Sequence, residues 1–585
     1  QIENFFHKPL VSLNHFWTIN QDMRLSSSLY YSGGRGGGTG FWGDLARKDA
    51  NGVSDLRAEK YKFYYGPSPW TWDFDGTIAA NASDASTPVI FQGDTLQRGD
   101  KESIGILRNS NNRQYTLGGI SKFNYDINDN LKTQVGIDYR YARIYHVKTI
   151  RDLLGGNYFV NTDSDFDMDG QQKVLGDPID YNFTNFVNWL GFFGQAEYNA
   201  GDITAYGMGG MTTVKYSHWN HFKRFSDYSF TNSSSKDGSD ADWVEGLNDS
   251  RGGNDGELFI EADPISTGQF KGGLMYNLND KLSFLSSIPV FGKVYDNSNV
   301  WFNVGVVNKT PIMDQVIYED DGDVFYTPDP KNETFTSFEL GLNSSSNDGT
   351  MAANFSFYST TWSDRIEIRT LSNLDADDNV AHITGIEQVH SGIEGELAWQ
   401  FIDMARLDIG FSYGNWRYND NATGTYIDDG SDVEYGYALK DLKVGDMPQS
   451  MLLMGLTANP IEGSAVRFQY RYYDAHFANW ELSSREYDPA VLTENINLSF
   501  PQQVWQAPSY GVLDIHASYD LPFEFGPAKP KLYINVLNAL DATFIQDATD
   551  NSKYNSFGDK GSTADDAEVY FGLPTSFNMG LTVNF

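Results

Sequence analysis

The sequence predicts an all-β protein, a transmembrane antiparallel β-barrel, and three observations carry that prediction. Apolar and polar residues alternate with a period of two along most of the chain. Short polar turns and long loops take turns in joining these alternating segments. No stretch approaches the roughly 18 consecutive apolar residues that a membrane helix needs. A barrel strand shows lipid only every second side chain, so the low mean hydropathy of −0.46 suits a barrel as well as a soluble chain.

The bulk composition sets outer limits. At 585 residues the chain is long enough for several soluble domains or one large barrel. It carries 42 Lys and Arg against 78 Asp and Glu, a net charge of −36. That balance excludes nucleic acid as a partner, which needs a basic face. It suits a surface that meets divalent cations or basic ligands. A hydrophobic content of 40% with 15% aromatics is too high for a disordered acidic chain. There are no cysteines, which removes disulfide, zinc-thiolate and Cys-nucleophile chemistry. Gln1 opens without a charged or apolar leader, so a mature or truncated chain is expected.

The strand pattern is read segment by segment. Leu190, Phe192, Gly194, Ala196 and Tyr198 interleave with Gln195, Glu197 and Asn199. Ile393, Gly395, Leu397, Trp399 and Phe401 alternate with Glu394, Glu396, Ala398 and Gln400. Val466, Phe468, Tyr470 and Tyr472 alternate with Arg467, Gln469 and Arg471. Leu513, Ile515, Ala517, Tyr519 and Leu521 alternate with Asp514, His516, Ser518 and Asp520. The last segment sets Phe577, Met579, Leu581, Val583 and Phe585 against Asn578, Gly580, Thr582 and Asn584. Roughly 17 or 18 such strands are readable, most long enough to cross a bilayer at a tilt.

Short turns are expected at Asp126 to Asn130 and at Asn277 to Lys281. Long loops are expected over 34–112, 149–185, 222–266, 311–333, 418–446 and 475–506, with much of the acid inside them. Tyr139, Tyr141 and Tyr145 fit an interfacial aromatic girdle. A β-sandwich would also use aromatics, but its strands average about 5–6 residues.

Several local motifs bear on chemistry. In NTDSDFDMDGQQKVLGD, Asp165, Asp167 and Asp169 alternate and end in Gly170. Such spacing lets a loop curl around a hard cation, so a Ca²⁺ loop is expected with those three carboxylates and the Gln171 carbonyl as ligands. The closing bidentate Glu of an EF-hand is missing. Gly176 stands there with Asp177 beside it, and Asp163 is a spare candidate. A plain solvated acidic loop explains the same residues. GGRGGGTG, Gly33 to Gly40, lacks the strand-before, helix-after setting of a phosphate loop, so a flexible loop or rim bend is expected there. In PSPWTWDFDG, Trp70, Trp72 and Phe74 are candidate ligand-stacking aromatics, as are Trp416, Tyr418, Trp480 and Trp505, with a self-packed loop core as the alternative. His218 and His221 lie three apart on a strand, on opposite faces, which suits no single metal. His382 and His390 have no ligand spacing. No GxSxG, HExxH or Walker motif is present, so no enzyme is expected.

A set of ordered segments resembles the TonB-dependent receptors of Bacteroidetes, of the type with an N-terminal carboxypeptidase-like regulatory domain. They are KPLVSLNHFWTIN (Lys8 to Asn20), SLYYSGGRGGGTG (Ser28 to Gly40), RDLLGGNYFV (Arg151 to Val160) and GFFGQAEYN (Gly191 to Asn199). TSFELGLN (Thr336 to Asn343), HSGIEGELAWQF (His390 to Phe401), VLDIHASYDLP (Val512 to Pro522) and NVLNALDATFI (Asn535 to Ile545) continue the series.

The resemblance implies the barrel of a 22-stranded transporter whose lumen holds a plug, with residues 1–585 as its C-terminal portion. Plug, TonB box and the first strands are not seen. Phe585 is expected to be the true C-terminus. The implied function is TonB-dependent import of a scarce, bulky nutrient across the outer membrane of a Gram-negative bacterium. Outer loops would capture the ligand, and the TonB–ExbB–ExbD complex would gate the plug. A SusC-like glycan or peptide importer with a SusD-like or other surface lipoprotein as lid is one alternative. A passive porin or structural barrel in an envelope assembly is another. Outer-membrane lipid is the expected surroundings, and no cofactor beyond possible Ca²⁺ is implied.

Overall fold

A computed structural model describes residues 3–584 apart from 44–46, 49–53, 56–72, 92–93, 96, 226–255, 279–296, 321–322, 328–329, 372–378, 429–430, 492–495, 524–525, 527 and 552–560. Its main body is one antiparallel sheet of 22 strand segments. Five of the 22 are short pieces at Asn4–His7, Glu257–Glu261, Ala422–Asp428, Ser431–Tyr437 and Glu486–Tyr487, which leaves 17 in one continuous meander.

The meander runs in chain order. β1 is Leu10–Thr18, β2 Met23–Gly43, β3 Gly105–Asp126, β4 Leu131–Asp152, β5 Pro178–Ala200 and β6 Ile203–Arg224. β7 is Ile265–Asn277, β8 Asn297–Lys309, β9 Glu333–Ser345, β10 Met351–Leu371, β11 Asn379–Ile402 and β12 Ala405–Tyr418. β13 is Ser450–Ala458, β14 Ser464–Asp474, β15 Tyr510–Asp520, β16 Lys529–Leu537 and β17 Ser576–Asn584. Each pairs antiparallel with the next. Among the described residues β1 and β17 are each paired on one side only.

The alternation read from the sequence sorts the side chains onto two faces. Leu274, Phe302, Leu340, Phe357, Ile393 and Tyr413 are consecutive cross-strand partners from β7 to β12. Five of the six are among the exposed large hydrophobic residues, Ile393 being partly covered. A continuous exposed apolar belt of this kind is untenable in water and is the surface a barrel turns to lipid. Residues of the opposite face hydrogen-bond instead. Asn303 donates to Glu339, Asn354 to Glu396, and Arg467 pairs with Asp408 at 2.7 Å.

The polar turns follow local side-chain chemistry. Asn128 Oδ1 accepts from the backbone N–H of Asn130 and Leu131, closing the turn between β3 and β4. Gly201, at φ +64°, lets β5 turn into β6 with one further residue. On the other side the connections are long, and buried apolar residues collect there in three clusters. The first holds Val214, Tyr216, Leu258, Ile260 and Val324, the second Ile383, Tyr437, Leu439 and Trp480, the third Ile106, Ile150, Phe159 and Ile179. The sheet is thus greasy outside, and the loop end is greasy within.

Three expectations are corrected. Gly33 to Gly40 is neither loop nor bend but the upper half of β2, paired with β3 on one side and with Asn4–His7 on the other. The glycines permit that close approach: a Cβ on Gly37 would meet the Ser110 carbonyl and lie 3.0 Å from the Phe5 ring. Strands β2 to β6 therefore run on well past a bilayer's thickness, and the loops beside them are shorter than the sequence suggested. The turn expected at Asn277 to Lys281 lies mostly outside the described residues. Asn535 to Ile545 is not one strand. β16 ends at Leu537, Asn538 and Asp541 take left-handed conformations, and a long connection over 538–575 follows.

Candidate ligand-binding site at the long-loop end

The face opposite the belt encloses a cavity of about 1150 Å³ near the short turns, lined by Asn299, Asn343, Asn354, Glu394, Glu396 and Asp408 from five successive strands. Its wall is amide, hydroxyl and paired charge, a surface that keeps water and offers a passing solute many weak contacts. Further along the same strands, Trp416 donates from Nε1 to the Tyr358 hydroxyl at 2.9 Å.

At the other end, three connections close over the β10–β12 region. They span 419–449, 475–509 and 538–575. Trp480 is their anchor, 2% exposed. It donates to the Tyr418 hydroxyl at 3.0 Å and packs on Tyr437 at 5.7 Å between ring centroids. The connections also share backbone bonds: Asn479 N–H donates to Ala548 O, Asp550 N–H to Asn479 O, and Ala438 N–H to Arg485 O. Arg485 and Asp550 are both buried and sit 3.8 Å apart. Burial dominates both groups, pushing the Asp550 carboxyl up and the Arg485 guanidinium down despite their attraction. Further bonds support the pair, Asp550 accepting from Ser562 and Arg485 donating to Gln503 O, although Arg485 Nε is buried without a partner among the described residues.

Below this cap lies a smaller polar cavity of about 240 Å³, lined by Arg365, Glu367, Arg369, Tyr418, Asp446 and Asn479. Glu367 bridges the two arginines, at 2.6 Å from Arg365 and 2.7 Å from Arg369. Arg369 also donates to the Trp480 carbonyl at 2.8 Å and stacks over its ring at 4.1 Å, while Arg365 stacks over Trp362 at 4.4 Å. Both guanidiniums are held on aromatic faces, which fixes their donors. On the facing wall Asp446 takes a left-handed φ of +72° and accepts from Asn479 Nδ2. Burial raises the Asp446 carboxyl, and the nearby Asp547 raises it further. The cavity presents two guanidiniums on one side and a readily protonated carboxyl on the other, a setting for a small polar or ionic group.

The residues predicted from sequence land elsewhere. Trp70 and Trp72 lie outside the described residues. Phe74 starts a short helix, α1, Phe74–Asn81, and packs against Phe41 at 5.8 Å, a loop-core role. Trp480 is buried in the cap beside the cavity, and Tyr418, also buried, contributes to the cavity lining.

The Asp165 loop does not gather around a cation. Asp167 pairs with the buried Lys173 at 2.6 Å, and Asp165 accepts from the Arg224 N–H at 2.7 Å. The Gln171 carbonyl accepts from Asn161 N–H, and Asp177 accepts from Val174 N–H. Asp169 is exposed. Among the described residues no three His, Asp or Glu side chains come together to hold a metal. The charges of Asp165, Asp167 and Asp177 are met by this chain's own cations and amides.

The sequence carried one unread signal for the cavity. Arg365, Glu367 and Arg369 alternate with Ile366 and Ile368, a period-two charge run late in a long strand.

Comparison with known proteins places this geometry. The family profile described as TonB dependent receptor-like, beta-barrel, matches residues 8–539. No curated protein sequence matches the chain. Among solved structures, the copper transporter OprC is similar at 12% identity and a TM-score of 0.56, covering 99% of this chain and 66% of its own. The siderophore receptor PiuA from Acinetobacter baumannii is similar at 10% identity and a TM-score of 0.54, covering 100% and 64%. The ferric yersiniabactin uptake receptor FyuA from Yersinia pestis is similar at 10% identity and a TM-score of 0.52, covering 100% and 62%. The chain thus spans less than two thirds of the length of these structures. Likeness at such low identity establishes the fold.

Proposed function

The chain belongs to the TonB-dependent receptor β-barrel family, an outer-membrane family, and from that membership we propose that it imports a scarce nutrient across the outer membrane with energy delivered through TonB. The observation that carries the proposal is the family match over residues 8–539. The exposed belt and the polar inner wall support it independently. The three similar structures are a copper transporter, a siderophore receptor and a ferric yersiniabactin uptake receptor. We extend that class to this chain, a metal ion or its chelate, as the first ligands to try. The capped cavity at Arg365, Glu367, Arg369 and Asp446 is the proposed point of first contact. ExbB and ExbD are the proposed energy source behind TonB.

The test is a deletion strain grown on limiting iron or copper supplied as defined chelates. Loss of growth on one of them, reproduced by deleting TonB and restored by this gene, is the expected result. Uptake that continues without TonB would reject active transport in favour of a passive pore. Co-purification of a surface lipoprotein would point instead to an importer of the SusC-like kind.

A further inference from the structure

On the outer face of the sheet, just beyond the apolar belt, three arginines stand without acidic partners among the described residues. On β2 the outward residues climb from Leu29 and Tyr31 to Arg35, and on β3 from Leu117 and Tyr115 to Arg113. On β4 they climb from Tyr139 and Tyr141 to Arg143. The register makes Arg35 and Arg113 direct cross-strand partners, and sets Arg143 opposite Tyr115 and Arg113 opposite Tyr145. Like charges placed opposite each other destabilise a sheet unless an anion lies between them.

Among the described residues none of the ion pairs involves Arg35, Arg113 or Arg143, and Glu3, on the segment beside β2, lies 3.6 Å from Arg151. Arg143 is held flat over the Tyr145 ring at 4.4 Å and the Phe186 ring at 5.3 Å, and its Nε is buried with no hydrogen-bond partner. In a chain of net charge −36 a patch of three unpaired guanidiniums is not a by-product of composition.

We propose that Arg35, Arg113 and Arg143 form a binding site for the phosphate-bearing headgroup of an outer-leaflet lipid. The height of the patch selects that source. Lipid tails can cover Leu117, Tyr139 and Tyr31, and the headgroup layer begins where the outward residues change from aromatic to arginine. Guanidinium forks match phosphate oxygens, and the Tyr115 and Tyr145 rings occupy the interface that such rings prefer. The proposal rests on the outer-membrane reading of the belt and is independent of TonB.

The full chain in phosphatidylcholine nanodiscs doped with phosphatidic acid provides the test, with lipids retained on the protein counted by native mass spectrometry. Retention of phosphatidic acid above phosphatidylcholine is expected. It should fall roughly fivefold for each arginine replaced by glutamine, down to the phosphatidylcholine level in R35Q/R113Q/R143Q. R24Q, at the short-turn end, keeps full retention. The single variants serve if the triple variant does not fold. Equal retention of the two lipids by the unaltered protein, or undiminished retention in the variants, overturns the proposal. Displacement by excess inorganic phosphate would mark a plain anion site and also overturns it.

Discussion

Leu340→Lys separates a lipid-facing belt from a soluble surface. Leu340 is the middle of three outward apolar residues on β9, between Phe338 and Leu342, and is 54% exposed. Its cross-strand neighbours are Phe302 and Phe357, so it sits at the centre of the belt in both directions. In water, exchanging a half-exposed leucine for lysine shifts stability by about 0.5 kcal/mol or less. At the bilayer midplane the same change costs about 2–4 kcal/mol, because the ammonium must be carried into hydrocarbon. A value near 3 kcal/mol corresponds to an equilibrium constant changed by roughly a hundredfold. The assay is guanidinium unfolding in phosphatidylcholine vesicles, with folded protein scored by its heat-modifiable gel mobility. Asn343→Lys, on the inner face of the same strand, is the control, with an expected cost of about 1 kcal/mol or less for its lost bond to Asn299. If Leu340→Lys were neutral in lipid while Asn343→Lys were costly, the two faces would be assigned the wrong way round.

Four further outcomes are expected. Trp480→Ala removes the anchor of the cap and should cost about 3–5 kcal/mol of local stability, seen as protease cleavage within 475–509 under conditions where the unaltered protein resists. Asp446 and Asp550 both have raised carboxyls, so their stabilising contribution is complete below the ordinary aspartate range and is lost as pH rises through the raised values. Hydrogen exchange corrected for intrinsic rate should therefore show a tighter cap at pH 5 than at pH 8, and Asp446→Asn should reduce the difference. Asp167→Ala strands the buried Lys173 ammonium and should weaken the 153–177 loop by about 1–3 kcal/mol, a loss measured by loop proteolysis that added calcium does not reverse. Gly37→Val forces its side chain against the Ser110 carbonyl and the Phe5 ring, and disulfide trapping between cysteines placed in Asn4–His7 and β2 should lose its efficiency.

The sheet was legible because a period of two is a property of neighbouring residues. Val466, Phe468, Tyr470 and Tyr472 against Arg467, Gln469 and Arg471 needs no distant information, and the structure pairs Arg467 with Asp408 and Arg471 with Asp514 on the inner face. Connections were legible only as lengths. Gly33 to Gly40 reads as loop because glycine lacks a strand preference, and its place in β2 is decided by partners far along the chain, from Arg108 to Tyr115. The partners of the Asp165 loop were hidden for the same reason. The Lys173 and Arg224 contacts belong to tertiary structure, which a run of alternating carboxylates does not reveal. The cavity was hidden because its walls come from four stretches, 365–369, 418, 444–446 and 479, which no local pattern connects.

The two inner surfaces differ in a way that bears on how capture and passage divide. The cap is cross-braced by a buried tryptophan, a buried ion pair and backbone bonds between loops, so Arg365, Arg369 and Asp446 hold fixed positions. Fixed donors lose little entropy on binding, and that favours affinity and discrimination. The wall near the short turns is the reverse. Asn299 receives a bond from Asn343, Asn354 donates to Glu396, and Arg406 binds Asp408, each contact made along or across the sheet by a side chain that stays half-exposed. Such groups exchange protein for solute bonds at little cost in either direction, which suits transit and would make a poor recognition site. Selectivity should therefore be lost by substitutions at Arg365 or Arg369 and left intact by Asn343→Ser or Asn354→Ser. A substrate profile altered by the wall variants and unmoved by the cap variants would reverse that division.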